Sequence, residues 1–381
     1  YDTLGRLTDL HTTSAGGDSP LETQHHFDHN AAGQRERVTL ADGSYWEYRY
    51  DQLGQLESAG KHLADGSPIA SQTHSFTHDA IGNRTSSTLG TPDTSPAQTG
   101  YTSNSLNQYT ATSGSGHTWI TGEADPAAII QVKGVTATRP GASRRFEFLG
   151  SSDNSAGATL AKFKIEASLD DAQERGTRFA RVPATTSTPA YDADGNLVSD
   201  SFYFYHWDGE DRLVAIETRS DALPASFPHH RLEFRYDSSD RRIEKKVFGL
   251  VDGSWQLARH KRFLYDGWNL LAEYEPRSNN SWQASASYLW GTDLSGTHQG
   301  AGGTGGLLHL RDHAEDNAYF IAYDGRGNVS ALIDETSGET TAEYDYSPFG
   351  KLTSATGPAA HLNPFRFSTR YQDTETGLYY Y

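Results

Sequence analysis

The 381-residue sequence contains no cysteine and no methionine. Disulfide cross-links and thiol catalysis are therefore excluded. The lack of oxidisable sulfur suits a protein exposed outside the cytoplasm, and the missing methionine leads us to expect a fragment or a processed product. No apolar run reaches the length of a membrane span, and no G-x-S-x-G nucleophile elbow occurs. Positive charge is also scarce: 32 Lys and Arg stand against 49 Asp and Glu, for a formal net charge of −17. Binding of nucleic-acid phosphates needs a basic face, so nucleic acid is not an expected partner. The runs RRF (144–146) and RRIEKK (241–246) are local exceptions, and strand alternation predicts that they form solvated faces. Helix-period apolar stretches are missing, and hydrophobic residues reach only 35%.

Glycine and tyrosine are plentiful, with 37 and 21 residues, and aromatics make up 12% of the chain. They recur in a fixed frame. YDTLGRL starts at Tyr1, YDQLGQL at Tyr50, YDADGNL at Tyr191, YDGRGNV at Tyr323 and YSPFGKL at Tyr346. FDHNAAGQR from Phe27 and FTHDAIGNR from Phe76 form a matched variant, with His29 and His78 four residues before Gly33 and Gly82. WDGEDRL at Trp207, YDSSDRRI at Tyr236 and YDGWNLL at Tyr265 are degenerate copies without the late glycine. Internal repetition of this kind decides the fold.

The unit reads as a β-hairpin. The aromatic residue ends one strand, and the Asp side chain binds backbone N–H groups along the turn. Gly supplies the positive φ of a type I turn followed by a bulge, and the apolar residue two positions on opens the next strand. The flanks alternate: Trp46, Tyr48 and Tyr50 share one face, as do Leu232, Phe234 and Tyr236. Asp192, Asp194 and Asn196 are thus turn residues. A calcium loop would place its glycine and a distal bidentate Glu elsewhere. The structural positions that follow are the aromatics Tyr1, Phe27, Tyr50, Phe76, Tyr191, Trp207, Tyr236, Tyr265, Tyr323 and Tyr346. With them go the turn glycines Gly5, Gly33, Gly54, Gly82, Gly195, Gly327 and Gly350.

These units resemble the YD repeats of the Rhs family, which includes toxin-complex shell proteins and teneurins. The stretch from Tyr323 to Leu352, followed by NPFRFSTRYQDTETGLYYY, resembles the Rhs core-associated segment nearly residue for residue, and Tyr288–Leu308 is similar to another recurring Rhs block. The resemblance covers about four fifths of the chain and implies an all-β spiral of hairpins forming part or all of a hollow shell. Residues 1–115 and 189–381 are the expected repeat segments. Residues 116–188, bordered by the Pro/Thr/Ser stretches 91–100 and 182–190, are expected to be an inserted Ig-like or fibronectin-like sandwich. Five short strand candidates separated by Gly/Pro turns lie within it.

Further motifs carry no chemistry in this frame. GAGGTG (300–305) matches a dinucleotide fingerprint but lacks a βαβ context and reads as a flexible loop. Of sixteen His, only His25 and His29 could converge on one strand face, without a third ligand. His229 and His230 are adjacent and point apart, as do Asp170 and Asp171, and Glu210 and Asp211 sit in a turn. No catalytic residue, metal or cofactor is expected. The self-cleaving region that Rhs cores carry further on falls outside these residues. The resemblance implies a secreted or cell-surface shell segment whose partner is a C-terminal toxin or other polypeptide cargo. A teneurin-like adhesion module binding a glycan or cell-surface receptor is the alternative, and an extracellular filament-forming protein a third. Replacing Gly195 by Val should lower the melting temperature, and retained stability would count against the turn assignment.

Overall fold

A computed structural model of the chain describes residues 1–13, 22–91, 96–221, 223 and 227–381. Part of the predicted linker 91–100 lies outside the described residues. Those described form antiparallel strands joined by turns, with one 3-10 turn at Phe367–Thr369. The chain divides into two compact units. One comprises Tyr1–Asp28, Thr39–Ala41 and Leu232–Tyr381, the other His29–Val38 and Asp42–Arg231.

Asp51 shows why the repeat reverses the chain. Its N–H donates to the Gln55 carbonyl at 2.9 Å, and the Gly54 N–H donates to the Asp51 carbonyl at 3.0 Å. One carboxylate oxygen, Oδ1, accepts from the N–H groups of Leu53 and Gln55 at 2.9 and 2.8 Å. The same capture recurs at Asp2, Asp79, Asp192, Asp208, Asp237 and Asp324. Asn104 performs it with an amide oxygen, while Asn30 Oδ1 and the Ser347 hydroxyl accept from the fifth residue, Gln34 and Lys351. The fourth turn residue is left-handed throughout: Gly5, Gly33, Gly54, Gly82, Gly195, Gly327 and Gly350 have φ between +73° and +97°. Asp211, Asp240 and Asn107 take the same place with φ of +57°, +60° and +62°. Asp and Asn tolerate that region better than other residues with a Cβ, so WDGEDRL and YDSSDRRI make the full turn without a glycine at its fourth position.

A bulge follows many of these reversals. Tyr50 pairs with Leu56 and Arg49 with Ser58, which skips Glu57. Equivalent steps skip Thr85, Val214, Ser330 and Thr353. Where the ladder breaks, the repeat aromatic of the next hairpin reaches a backbone carbonyl. Tyr50 Oη donates to Arg35 O at 3.0 Å, Tyr191 to Tyr109 O at 3.2 Å, Tyr265 to Arg242 O at 3.1 Å and Tyr346 to Val329 O at 2.8 Å. Trp207 Nε1 does the same to Leu197 O at 2.8 Å. In each case the acceptor is the second residue beyond the left-handed position of the preceding turn. The aromatics therefore act as hydrogen-bonded staples as well as packing surfaces.

In the second unit, residues 117–182 form a small two-sheet sandwich. His117–Glu123 pairs with Arg145–Ser151, facing the sheet ordered Val135–Thr136, Ile129–Val132, Thr159–Leu169, Ala172–Val182. Ile120, Val132, Ala161, Phe163 and Val182 fill its core. Phe163 leaves room for no side chain at position 150, where a Cβ would lie 2.3 Å from its ring. The sandwich is tied to repeat strand Pro68–His78 through a buried contact, Ser71 Oγ to Glu147 Oε1 at 2.5 Å. Arg145 bonds both of them. Thr186–Ser187 is already back on the repeat ladder, against Tyr109–Gly114.

The first unit has a filled apolar core. Residues 357–381 cross over its strands and bury Phe263, Leu270, Tyr288, Leu310 and Tyr344 together with Phe365 and Tyr371. Tyr346→Phe should lower stability by about 1–2 kcal/mol, because the buried Val329 carbonyl loses its donor. Urea unfolding followed by tryptophan fluorescence measures this; an unchanged midpoint would refute the staple.

Candidate functional site: a charge clamp on the C-terminal segment

The predicted aromatics do not all occupy one structural position. Tyr50, Tyr191, Trp207, Tyr265 and Tyr346 are staples, and Tyr323 joins them through the Leu307 carbonyl at 2.5 Å. Phe27 and Phe76 stand two residues further from their turns. The capturing residues there are Asn30 and Asp79, so His29 and His78 occupy the pre-turn place. Both phenylalanines are buried, and Phe76 stacks with His74 at 6.1 Å. Tyr236 lies 6.5 Å from the Tyr380 ring. Tyr1 precedes the first strand and is exposed. Tyr265 is followed by a tighter reversal, in which Asp266 pairs directly with Asn269. His25 stacks on Phe27 at 6.2 Å, and no group of three His, Asp or Glu among the described residues is arranged to hold a metal.

The most concentrated chemistry lies beneath the C-terminal segment. Arg242 and Lys245, from the run expected to be solvated, are only 3% and 4% exposed. Ile243 between them is the residue that faces out. The expectation of a solvated face fails here, and so does simple alternation: Arg242 and the adjacent Glu244 and Lys245 are all buried, and a carboxylate from another part of the chain meets the two cations. Arg242 Nη1 donates to Asp373 Oδ2 at 2.7 Å. Lys245 Nζ donates to Asp373 Oδ1 at 2.7 Å and to Glu375 Oε2 at 2.6 Å. Aromatic rings surround the guanidinium of Arg242, with Tyr380 at 4.6 Å, Phe234 at 5.0 Å and Tyr371 at 5.1 Å. Beside this group Glu273 is 1% exposed; it pairs with Lys261 and accepts from Tyr288 Oη at 2.9 Å.

Burial by itself would raise the Asp373 carboxyl, but the charges of Arg242 and Lys245 outweigh it and hold the group below the usual carboxylate range. Burial, followed by the Glu273 charge, pushes the Tyr288 and Tyr371 hydroxyls well up, so both stay protonated. Such an arrangement holds structure rather than shuttling protons.

A second row of contacts joins the same segment to repeat turns. Thr369 Oγ1 donates to Gly327 O at 2.8 Å, Arg370 Nη1 to Gly302 O at 2.7 Å and Tyr379 Oη to Gly350 O at 3.1 Å. A Cβ at Gly350 would fall 2.6 Å from the Phe367 ring, so this glycine serves both its turn and the approach of the segment. The GAGGTG loop is an ordered part of this seat. Its N–H groups at Ala301 and Gly303 donate to Asp293 Oδ2 at 2.7 and 3.0 Å. The amides that a phosphate would need are taken by an internal carboxylate. Sequence separation hid the clamp, since Arg242 and Asp373 are 131 residues apart.

Comparison with known proteins agrees with the repeat geometry. The RHS Repeat family model matches residues 29–68, which contain the Asn30 and Asp51 turns. This chain therefore carries an RHS Repeat at residues 29–68. Its sequence is 31% identical over 192 residues to tRNA3(Ser)-specific nuclease WapA of Bacillus spizizenii, covering 50% of this chain and 7% of that protein. It is 27% identical over 211 residues to Double-stranded DNA deaminase toxin A of Burkholderia cenocepacia, covering 50% of this chain and 14% of that one. The chain thus spans a small part of either relative. Among solved structures, TcdB2-TccC3 aligns over 98% of this chain and 19% of its own at 15% identity, with a TM-score of 0.38.

Asp373→Asn should cost about 3–5 kcal/mol at neutral pH, by leaving buried cations without their counter-charge. Because the folded-state pKa of Asp373 is depressed, its contribution is present above the unfolded value of about 3.9 and is lost as pH falls through the folded value. The melting temperatures of wild type and Asp373→Asn should therefore converge below about pH 4. A gap that stays constant from neutral to acid pH would contradict the clamp.

Proposed function

We propose that this chain is a non-enzymatic Rhs shell segment that encapsulates or presents a C-terminal toxin polypeptide, secreted or at the cell surface. The observation that carries the reading is the clamp. Buried ion pairs and contacts to three turn glycines fix residues 357–381 on the first unit, so any polypeptide continuing from them starts from a rigid seat. The repeat strands supply wall material: their backbone groups are satisfied by neighbouring strands and staples, with no catalytic constellation required. The relatives named as a nuclease and as a deaminase toxin support a toxin cargo, and we assign those activities to parts of those proteins outside the matched segment. Among the described residues no helix is long and apolar enough to cross a membrane.

A protease-sensitive, unfolded reporter polypeptide fused after Tyr381 tests this. Thermolysin should cleave the fused reporter at least about tenfold more slowly than the free reporter, as expected for a chain whose access to open forms is restricted. Asp373→Asn should remove much of that protection. Equal cleavage rates for fused and free reporter would exclude encapsulation by this segment.

A further inference from the structure

We propose that strand Ala172–Val182 is a self-association edge, pairing antiparallel with the same strand of a second copy of this chain about a two-fold axis at Gly176. This stands independently of the shell reading. The strand closes the four-stranded sheet on one side, with Thr159–Leu169 as its neighbour. Its first eight residues, 172–179, are all exposed. Pairing with Thr159–Leu169 runs from Thr159↔Val182 to Leu169↔Ala172 with no bulge. The strand contains no proline. Edge strands that stay single are usually short, bulged, charged, covered or interrupted by proline; this one is long and regular, it offers a row of backbone N–H and C=O groups, and its charges can pair with those of a second copy.

Charge selects the occupant. A two-fold axis perpendicular to a sheet keeps each side chain on its own face, so only registers that pair residues of like parity are allowed. Centring on Glu174 or Arg178 would set like charges opposite each other. Centring on Arg175 or Thr177 would set no opposite charges together. Centring on Gly176 places Glu174 opposite Arg178 of the second copy, and Arg178 opposite its Glu174, and lets the whole span 172–180 overlap. The remaining charged residue, Arg175, is already held by Glu166 at 3.2 Å on the other face. Glu174 and Arg178 make no ion pair among the described residues. At the axis, Gly176 has no atom within 4 Å of a Cβ position, so nothing obstructs a close approach. The edge is complementary to itself.

The interface is small, under ~1,000 Å², so association is expected only at high concentration. Sedimentation equilibrium of the whole chain should show a concentration-dependent monomer–dimer equilibrium. Glu174→Arg and Arg178→Glu should each weaken it by roughly tenfold or more, since both cross-strand pairs become repulsive. The double variant Glu174→Arg/Arg178→Glu should restore it. Melting temperatures serve as the folding control, because both side chains are exposed. The cysteine-free background allows a geometric check. In the proposed register the Cα atoms of Gly176 and its mate lie about 4.5–5.5 Å apart, within disulfide range, so Gly176→Cys should cross-link on mild oxidation. Gln173→Cys should not, because its mate stands roughly 20 Å away along the strands. A strict monomer at all concentrations, a double variant no better than the singles, or equal cross-linking at 173 and 176 would each overturn the proposal.

Discussion

A single carboxylate accepting two backbone N–H groups sets the rest of this architecture. At each reversal the ladder cannot satisfy the amides of the third and fifth turn residues, and the Asp side chain takes both. That capture fixes the left-handed fourth position. The left-handed residue directs the chain into a bulge, and next to the bulge lies the carbonyl that the following aromatic staples. Side-chain hydrogen bonds from Asn83, Arg212 and Arg241 hold Asp79, Asp208 and Asp237 below the usual carboxylate range, so the acceptor stays charged. This explains the preference for Arg or Asn directly after an Asp turn, where that residue binds the second carboxylate oxygen, and for Gln after Asn30 and Asn104, where it accepts from the Asn amide instead.

Much of this was legible because it is local. Turn, glycine position, bulge and strand alternation all act within about eight residues, the distance over which a sequence pattern reports geometry directly. The strands of the small sandwich were legible for the same reason. Two kinds of information were not. Asp211, Asp240 and Asn107 look like missing glycines until φ is known, because a short polar side chain can adopt the same backbone state. Long-range partners were invisible: RRIEKK gives no sign that Arg242 and Lys245 are buried when the deciding carboxylate, Asp373, lies in another segment. The same holds for the tyrosine hydroxyls, whose acceptors are backbone atoms that carry no sequence signature.

The clamp also shows where charge is used sparingly and where it is committed. Most ion pairs of this acidic chain sit near the surface, where they contribute little. The Arg242–Asp373–Lys245 group is desolvated, and a buried ion pair is no more stabilising than a well-packed apolar substitute. Its value lies in selectivity. Only one placement of residues 371–375 can neutralise both cations, so the segment has a single register, whereas the surrounding tyrosines and phenylalanines would accept several.

The crossing of residues 357–381 over strands formed a hundred residues earlier has a consequence for synthesis. Each hairpin can close as it emerges from the ribosome, since its contacts are sequence neighbours and little loop entropy opposes them. The apolar face of the first unit cannot. Phe263, Leu270 and Tyr288 remain open to water until Phe365 and Tyr371 arrive, and during that interval the nascent wall is exposed to aggregation. Sealing of that surface thus waits for residues 357–381. A ribosome that stalls before these residues leaves an unsealed surface that quality-control proteases can distinguish from the sealed one.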